Sequence, residues 1–431
     1  MLRNPTDWFA RRRLDHGDTF VVDALGHRFF CVFGAAGVQQ LYAVPEHKAS
    51  FGLATYTMIR TKVPGELFGD IRNPPHTLFG NQLVEGYLAN LERAMADELS
   101  RLGSAGSFEV FAEARRIGHR LGLASWAGHE AASPKYFERL VDALDRLDTS
   151  ESFVHPLRTM VTIATRQARE RTAMHEIEAI ISEILAERRR RPETRPGDFL
   201  DTIDESFADV VDGAGSVKST GVAGASRDQL VARDVIVLHL GSQSNLFAAL
   251  AWTLVHLLAV PEDLAAVRAG DEAKLERYAY ESIRVAQRSI TMRQVLRPLD
   301  FDTGDTTFHL SPGILITTML SVTNTTADPA LRTFDPDHYV GRRLDPTIAI
   351  PTKELVSTFG HGIHVCPAQR FSISAIRAAV IALIDRYDLT PQFTAPGPLT
   401  RQIGGVARAD RPCPVAYVAR RTALRDTRTI S

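Results

Sequence analysis

The sequence contains very little cysteine: its 431 residues include three, Cys31, Cys366 and Cys413. The number is odd, and no two of them have CxxC spacing. Both facts argue against a disulfide framework and against a cysteine-based zinc site. A reducing compartment fits this usage best, and we expect a cytoplasmic protein.

The chain also lacks an excess of charge of either sign. It has 50 lysine and arginine residues against 51 aspartate and glutamate residues. Such a balance provides no general attraction to nucleic acid or to an anionic membrane surface. We therefore expect neither as a partner.

A long uninterrupted apolar run is absent as well. The polar, charged segment at residues 1–9 predicts neither a signal peptide nor a membrane anchor. The longest apolar stretch, residues 235–260, has the length of a membrane span, but several polar side chains interrupt its middle. This pattern favours a helix that crosses the protein core.

The hydrophobic pattern predicts a mainly α-helical protein with small β-sheets. Residues 17–34 are typical of a β-hairpin, residues 290–320 of short strands, and residues 212–227 of a loop. No linker or repeat divides the chain, so we predict one large domain over residues 1–431, with a β-containing portion at about 17–50 and a helical core at about 80–431. Helical periodicity is present at about 35–43, 82–102, 108–126, 134–147, 157–190, 228–259, 272–286 and 367–387.

One cysteine lies in a segment that suits a metal ligand. Residues 359–372 read Phe-Gly-His-Gly-Ile-His-Val-Cys-Pro-Ala-Gln-Arg-Phe-Ser and lead into a predicted helix. Backbone N–H groups at a helix N-terminus stabilise a thiolate. Gly360 and Gly362 would let the backbone pass close to a flat group. On chemistry alone, a buried structural cysteine in a glycine-rich turn is an equal alternative.

This segment resembles the haem-binding loop of cytochromes P450, Phe-x-x-Gly-x-[Arg/His]-x-Cys-x-Gly, with Ala368 in place of the last glycine. The resemblance implies the cytochrome P450 fold and a haem b whose iron is bound by the Cys366 thiolate. It also implies that Phe359 and Gly360 lie beside the cofactor. By the same resemblance, His364 faces a haem propionate.

Three further positions resemble parts of the same family. Glu281-Ser-Ile-Arg284 resembles the Glu-x-x-Arg pair that packs under the haem loop, although alone it would be a surface ion pair. His338 stands where the family usually has an arginine that completes this pair. Arg293 matches the arginine that binds a propionate. The resemblance runs from about residue 5 to about residue 418.

The central helix departs from the usual family pattern. Most P450 monooxygenases carry there an acid followed by an alcohol, which deliver protons during oxygen activation, whereas this chain has Ser244 and Asn245. The run resembles the branch that contains cholesterol 7α-hydroxylase and prostacyclin synthase. We predict that Ser244 and Asn245 line the cavity above the iron as catalytic residues; alternatively, Asn245 is a helix amide satisfied by the neighbouring backbone. Substrate contacts are predicted at Gly241, Ser242, Ser289, Ile290 and Thr291, although the last three could also be plain strand packing.

Three functions are compatible with these residues. The first is a monooxygenase that oxidises a bulky apolar substrate, sterol-like, terpenoid-like or resembling another secondary metabolite. It would act as a monomer and take electrons from a ferredoxin and its reductase, with Arg370 and Arg377 on the docking face. The second is a redox-independent isomerase or dehydratase, or a peroxygenase, because the acid–alcohol pair is missing. The third is a haem-binding or sensing protein without turnover.

Overall fold

The chain folds into one mainly helical domain with small β-sheets, which confirms the predicted fold class. The computed structural model describes residues 3–24, 26–60, 62–69, 79–80, 84–148, 162, 164–208 and 225–420. The helices are α1 (Pro5–His16), α2 (Ala35–Ala43), α3 (Phe51–Ile59), α4 (Val84–Leu102), α5 (Val110–Trp126), α6 (Phe137–Leu147), α7 (Ala168–Arg190), α8 (Phe199–Ser206), α9 (Arg227–Leu258), α10 (Pro261–Arg268), α11 (Glu272–Ala286), α12 (Leu320–Thr326) and α13 (Gln369–Arg386).

The described strands form one five-stranded sheet and three smaller ones. The large sheet has the order β1-β2-β8-β5-β3, the next β11-β12-β4, and two hairpins pair β6 with β7 and β9 with β10. The strands are β1 (Thr19–Ala24), β2 (His27–Val32), β3 (Ala49–Ser50), β4 (Ala105–Glu109), β5 (Ile290–Val295), β6 (Leu299–Asp302), β7 (Thr307–Leu310), β8 (Leu315–Met319), β9 (Tyr339–Val340), β10 (Arg343–Leu344), β11 (Tyr387–Pro391) and β12 (Pro414–Ala419).

The large sheet joins the N-terminal hairpin to strands from the second half of the chain. The predicted hairpin is confirmed, with Phe20 opposite Cys31. Strand β2 then pairs in parallel with β8, which pairs antiparallel with β5 and places Thr291 opposite Thr318. The β-rich N-terminal portion is therefore part of the same sheet as residues 290–319.

Several helix boundaries differ from the prediction. The helix expected at 108–126 begins at Val110, because Phe108 pairs with Val415 in the three-stranded sheet. The helix expected at 134–147 begins at Phe137, after a turn. The helix expected at 157–190 is found from Ala168; residues 149–161 and 163, and residues 212–224 of the predicted loop, lie outside the described residues.

Helix α9 runs through the protein core. A capping box starts it: Gln229 N–H donates to Ser226 Oγ at 3.3 Å, and Ser226 N–H donates to Gln229 Oε1 at 2.8 Å. Its faces contact α5, α7, α11 and α13. Among the described helices it alone has the length and composition to cross a membrane, and 61% of its most apolar window is buried inside the protein. The predicted core-crossing helix is thus observed.

His256, on α9, makes the stability of this core sensitive to acid. Its ring lies between Trp252 and Phe334, and its Nδ1 lies 2.8 Å from Ser282 Oγ. Burial lowers the pKa of His256 to about 3. The unfolded chain, with an ordinary histidine pKa of about 6.5, binds this proton first. We therefore expect this histidine to lower the free energy of unfolding by about 1.4 kcal/mol per pH unit as the pH falls from 6.5 towards 3.

Urea denaturation of the wild type and of His256→Gln at pH 7.5 and pH 5.0 measures this contribution. The loss of stability between the two pH values should be smaller in the variant, because glutamine does not titrate. His175→Gln, which removes an exposed histidine on α7, should behave like the wild type. Equal acid sensitivity of His256→Gln and the wild type would contradict the assignment.

Candidate active site

A cavity of about 860 Å³ separates α9 from the loop that carries Cys366. Its walls are mostly apolar, and the charged or titratable basic groups among its described lining residues are confined to Arg293 and His364. Most of the residues singled out from the sequence meet here: Gly241, Ser242, Asn245, Ser289, Ile290, Thr291, Arg293, Phe359, Gly360, His364 and Cys366. The structure therefore brings together positions that span more than 120 residues of sequence.

The loop before Cys366 has a backbone shape that requires glycine. Gly360 has a φ of +81°, and a Cβ there would stand 2.7 Å from the carbonyl oxygen of His364. Cys366 N–H donates to Phe359 O at 2.6 Å, which closes the loop. Gly360 N–H donates to Ser357 Oγ at 3.1 Å and ties the loop to the preceding segment. The loop thus holds the sulfur at the floor of the cavity.

The Cys366 sulfur lies just before the N-terminus of α13. Burial raises the pKa of the Cys366 thiol, and a hydrogen bond from the Ala368 N–H to the sulfur opposes this effect. Because that donor is a backbone group, alanine in place of the family's glycine preserves it. A metal ion bound at the sulfur would stabilise the thiolate further.

Arg293 and His364 form a basic edge of the cavity, whose charge is carried by the Arg293 guanidinium. Arg293 Nη2 contacts His364 Nε2, and Arg293 Nη1 donates to the carbonyls of Val44 and Ala49. Burial lowers the pKa of Arg293, and burial together with the neighbouring guanidinium lowers the pKa of His364. Glu46, 3.7 Å from Arg293 and 3.4 Å from His364, compensates only partly, since its side chain is 43% exposed.

These features fit a haem. The buried Arg293 guanidinium is short of negative charge, and a propionate carboxylate would provide it, with the half-buried His364 imidazole beside it as a second hydrogen-bonding group. The apolar space beside them is lined by Cys366 and by residues of α9. Cys366 would ligate the iron, Arg293 and His364 would hold a propionate, and Phe359 and Gly360 would line the sulfur side.

The pair Glu281–Arg284 lies fully buried on α11. Arg284 Nε and Nη2 donate to the two Glu281 carboxylate oxygens at 2.7 and 2.6 Å. His338 Nδ1 lies 3.0 Å from Glu281 Oε1, so the histidine occupies the position predicted for it. Arg284 also donates to the carbonyl of Asn324 at 2.6 Å.

Asn324 connects this pair to the cysteine loop. Its Nδ2 donates to Arg284 O at 3.1 Å and to Ser357 O at 3.0 Å, while Ser357 N–H donates to its Oδ1 at 2.8 Å. Ser357 in turn accepts from Gly360 N–H. The sequence pattern around Asn324 is a glycosylation sequon, but the side chain is fully buried and therefore serves the interior. Sequence reasoning missed this role.

Comparison with known proteins agrees with this geometry. The chain resembles cytochromes P450. A Mycobacterium tuberculosis protein that carries the name cytochrome P450 135B1 is 26% identical over 239 residues, 53% of this chain and 46% of that protein. An Aspergillus fumigatus protein named cytochrome P450 monooxygenase pyr3 is 24% identical over 377 residues, 78% of this chain and 69% of that protein.

The chain spans about half the length of the mycobacterial relatives that it matches. No family model matches it. At these identities the relatives support the P450 superfamily. The narrower likeness of the central helix to the branch of cholesterol 7α-hydroxylase and prostacyclin synthase gains no support from them.

Ser244 and Asn245 lie on different faces of α9. Asn245 lines the main cavity, and its Oδ1 accepts from Val406 N–H at 3.0 Å. Ser244 instead lines a second pocket of about 480 Å³ together with Glu109 and Arg115. One residue turns a helix by about 100°, which separates the two side chains. The expectation that Ser244 shares the cavity with Asn245 is therefore wrong.

The predicted substrate positions all line the same cavity as Cys366. Ser289 Oγ accepts from Gly405 N–H at 3.1 Å, and Thr291 Oγ1 lies 3.3 Å from the hydroxyl of Tyr42. Sequence reasoning missed the contributions of Phe9 and Phe29, which bring α1 and β2 to the same cavity. Single apolar residues give no local signal of such a role.

Replacing Arg293 tests the charged edge of the cavity. Arg293→Leu removes a charge-assisted hydrogen bond to a carboxylate, worth about 1.5–3 kcal/mol, so haem affinity should fall roughly ten- to hundredfold. Haem titration of the purified apoprotein measures the effect. Arg297→Leu, at an exposed position on the same segment, should leave haem affinity unchanged. If both variants bind haem as tightly as the wild type, the propionate assignment is incorrect.

Proposed function

We propose that this chain is a haem-thiolate monooxygenase that oxidises a bulky, neutral, apolar small molecule with O2 and electrons from a ferredoxin and its reductase. The observation that carries the proposal is an apolar cavity that is lined both by Cys366 and by Asn245 of α9. Haem b, when bound, supplies the oxygen chemistry, and the thiolate tunes it by donating electron density. The chain supplies binding, orientation and protons.

The polar groups of the cavity suggest how substrate is oriented. Away from Arg293, His364 and Cys366, the described lining residues are apolar or carry neutral hydroxyl and amide groups. Burying a charged substrate against such walls is costly, whereas an apolar molecule gains free energy from the area that it buries. Ser289 and Thr291 can each offer a hydrogen bond to one polar group of the substrate. A sterol-like or terpenoid-like skeleton meets these conditions.

Asn245 is well placed to donate a hydrogen bond into the cavity. The backbone N–H of Val406 fixes its Oδ1 as an acceptor, so its Nδ2 amide is the free end. Among the described residues, no hydrogen-bond partner of this Nδ2 is found. The amide can therefore hold a water or a substrate oxygen near the position where protons are consumed.

The surface around the cysteine loop suits a protein partner. Ile363 and Val365 in this loop are 75% and 46% exposed, and Arg370 is exposed beside them. An acidic ferredoxin docking here would meet Arg370 and this apolar patch, with Arg377, which pairs with Glu272, on the helix that follows. Charge complementarity of this kind raises the rate of association.

A second candidate is a redox-independent isomerase or dehydratase, or a peroxygenase. The observation that favours it is the absence of any carboxylate between residues 235 and 260, together with Ser244 facing away from the cavity. An isomerase, a dehydratase or a peroxygenase would take no protons from this helix for oxygen activation. Both the missing carboxylate and the position of Ser244 are compatible with such an enzyme.

A reconstitution with three arms separates these functions, using substrates first selected by the spectral shift that they cause. The arms are O2 with a ferredoxin system, hydrogen peroxide, and substrate alone. We expect oxygenated product in the first arm, and a fall of roughly tenfold or more in Asn245→Ala, because the amide that holds a proton-carrying water or the substrate oxygen is lost. Thr253→Val is the control, since its buried hydroxyl donates to Ala249 O within α9 and reaches neither pocket. Product from substrate alone would establish an isomerase or dehydratase, and product from peroxide only would establish a peroxygenase.

A further inference from the structure

A hydrogen-bonded chain of four side chains leads from the cavity wall to the protein surface. Trp126 Nε1–H, on α5, donates to His239 Nδ1, on α9, at 3.1 Å. His239 Nε2 lies 2.9 Å from His119 Nδ1, and His119 Nε2 lies 2.9 Å from Asp145 Oδ1. Trp126 lines the main cavity, both histidines are fully buried, and the Asp145 side chain is 36% exposed. These four hydrogen-bonded side chains therefore join the cavity to solvent.

Trp126 and Asp145, the two end members of this hydrogen-bonded series, determine which nitrogen carries the proton in each histidine. An indole nitrogen only donates a hydrogen bond, and a carboxylate only accepts one. His239 accepts at Nδ1, so its proton sits on Nε2 and is donated to His119 Nδ1. His119 then carries its proton on Nε2 and donates it to Asp145. Both imidazoles are neutral, in agreement with the burial that lowers the pKa of each.

At the surface end of this hydrogen-bonded series, Asp145 lies beside the permanently charged Arg115 guanidinium. Arg115 donates to Asp145 and lies 3.4 Å from Asp148. Burial raises the pKa of Asp145, but its bond to His119 and the Arg115 charge outweigh that effect and leave the pKa below its usual value. The carboxylate end is thus ionised, in contact with solvent, and able to pass a proton on.

A neutral indole is not an acid at physiological pH, so no proton leaves Trp126 while the ring keeps its electrons. Loss of one electron makes the same N–H strongly acidic. We propose that Trp126 is a redox-active residue whose one-electron oxidation is coupled to proton transfer into the His239–His119–Asp145 chain. The inference rests on the proposed function, since the oxidant is haem that hydrogen peroxide has oxidised in the absence of substrate.

The step balances as one electron and one displaced proton. The electron passes from the indole to the oxidised haem, and the Nε1 proton moves to His239 Nδ1. His239 gives its Nε2 proton to His119 Nδ1, and His119 gives its Nε2 proton to Asp145. A small external reductant such as ascorbate later returns an electron to Trp126, and the protons move back. The result is a route that removes oxidising equivalents from the cavity before they damage Cys366.

Trp252 provides an internal comparison. It is as deeply buried as Trp126, but its Nε1–H donates at 2.6 Å to Ala407 O, a backbone carbonyl that takes up no proton at physiological pH. It is not among the residues that line the cavity. Trp126, in contrast, has a basic nitrogen as its acceptor and packs 5.3 Å from the ring of Phe371, on the helix that follows Cys366. Only Trp126 combines cavity contact with a proton acceptor.

Electron paramagnetic resonance of haem-loaded, substrate-free protein, frozen after mixing with hydrogen peroxide, tests the proposal. We expect a neutral tryptophan radical in the wild type, identified by indole-deuterated tryptophan, and its retention in Trp252→Phe. Trp126→Phe should lose this signal and should lose its haem absorbance to peroxide faster. His239→Phe, which removes the proton acceptor, should also lose the neutral radical.

The possible outcomes are distinct. A normal haem spectrum with no tryptophan radical in the wild type, or a radical that disappears in Trp252→Phe, overturns the relay and leaves the proposed function standing. If Trp126→Phe fails to take up haem, retention of the wild-type signal in both Trp252→Phe and Trp8→Phe still assigns it to Trp126, the one remaining tryptophan. If the wild-type protein binds no haem, both the relay and the proposed function are wrong.

Discussion

Replacing Cys366 with alanine is expected to abolish the thiolate-type band in the reduced carbon monoxide difference spectrum and to abolish turnover. Cys366 supplies the one thiol among the described residues that line the cavity, and it lies where the loop from Phe359 and the start of α13 converge. The thiolate governs both the spectrum and the reactivity of a haem iron, and no nearby side chain can replace it. His364 lies on the same wall, but its Nε2 is already in contact with Arg293.

The other two cysteines are matched controls for this prediction. Cys31 lies within β2 and Cys413 just before β12; both are fully buried and neither lines the cavity. Burial raises the pKa of Cys31 to about 12 and, with nearby carboxylates, that of Cys413 to about 11, so neither is a ready thiolate. Cys31→Ala and Cys413→Ala should keep the band, even if they unfold more easily. A thiolate band that persists in Cys366→Ala would refute the ligand assignment.

The cysteine loop was predictable because its determinants are local in sequence. The glycine at 360 is needed for a positive φ, and the sulfur meets a backbone N–H at the start of a helix two residues later. Each of these requirements is met within about ten residues, so the sequence pattern carries them directly.

The central helix shows the opposite case. Ser244 was placed beside Asn245 by family register, although a helical period already puts Gly241, Ser242 and Asn245 on a face that excludes it.

Other contributors to the site could not be found by local reasoning. Glu46 reaches Arg293 across almost 250 residues of sequence, and only the pairing of β3 with β5 brings them together. Asn324 is selected for its two-sided hydrogen bonding between α11 and the cysteine loop, which no spacing rule reveals. The His119–His239 contact likewise depends on the packing of α5 against α9. Such contacts are set by the tertiary fold, where a polar residue is satisfied by whichever partner the packing provides.

Replacing Glu281 with glutamine is expected to lower the free energy of unfolding by about 3–5 kcal/mol, because it leaves the buried charge of Arg284 without its counter-ion. Glutamine keeps the shape of the side chain and can still accept from Asp335 N–H, which donates to Glu281 at 2.9 Å. The loss is therefore mainly electrostatic. Urea denaturation of the apoprotein, monitored by tryptophan fluorescence, measures it directly.

The same substitution should also loosen the cysteine loop, which a purely global effect would not do. Arg284 is coupled to that loop through Asn324 and Ser357, so its rearrangement reaches the sulfur. Glu98→Gln is the matched control, because Glu98 is equally buried and paired with arginines on α4 and α5, away from the cavity. Both variants should be less stable, but only Glu281→Gln should convert part of the thiolate band to a protonated-thiol form at a temperature where the protein remains folded. If Glu98→Gln shifts the band to the same extent, the coupling from α11 to Cys366 is not specific, and the buried pair acts on stability alone.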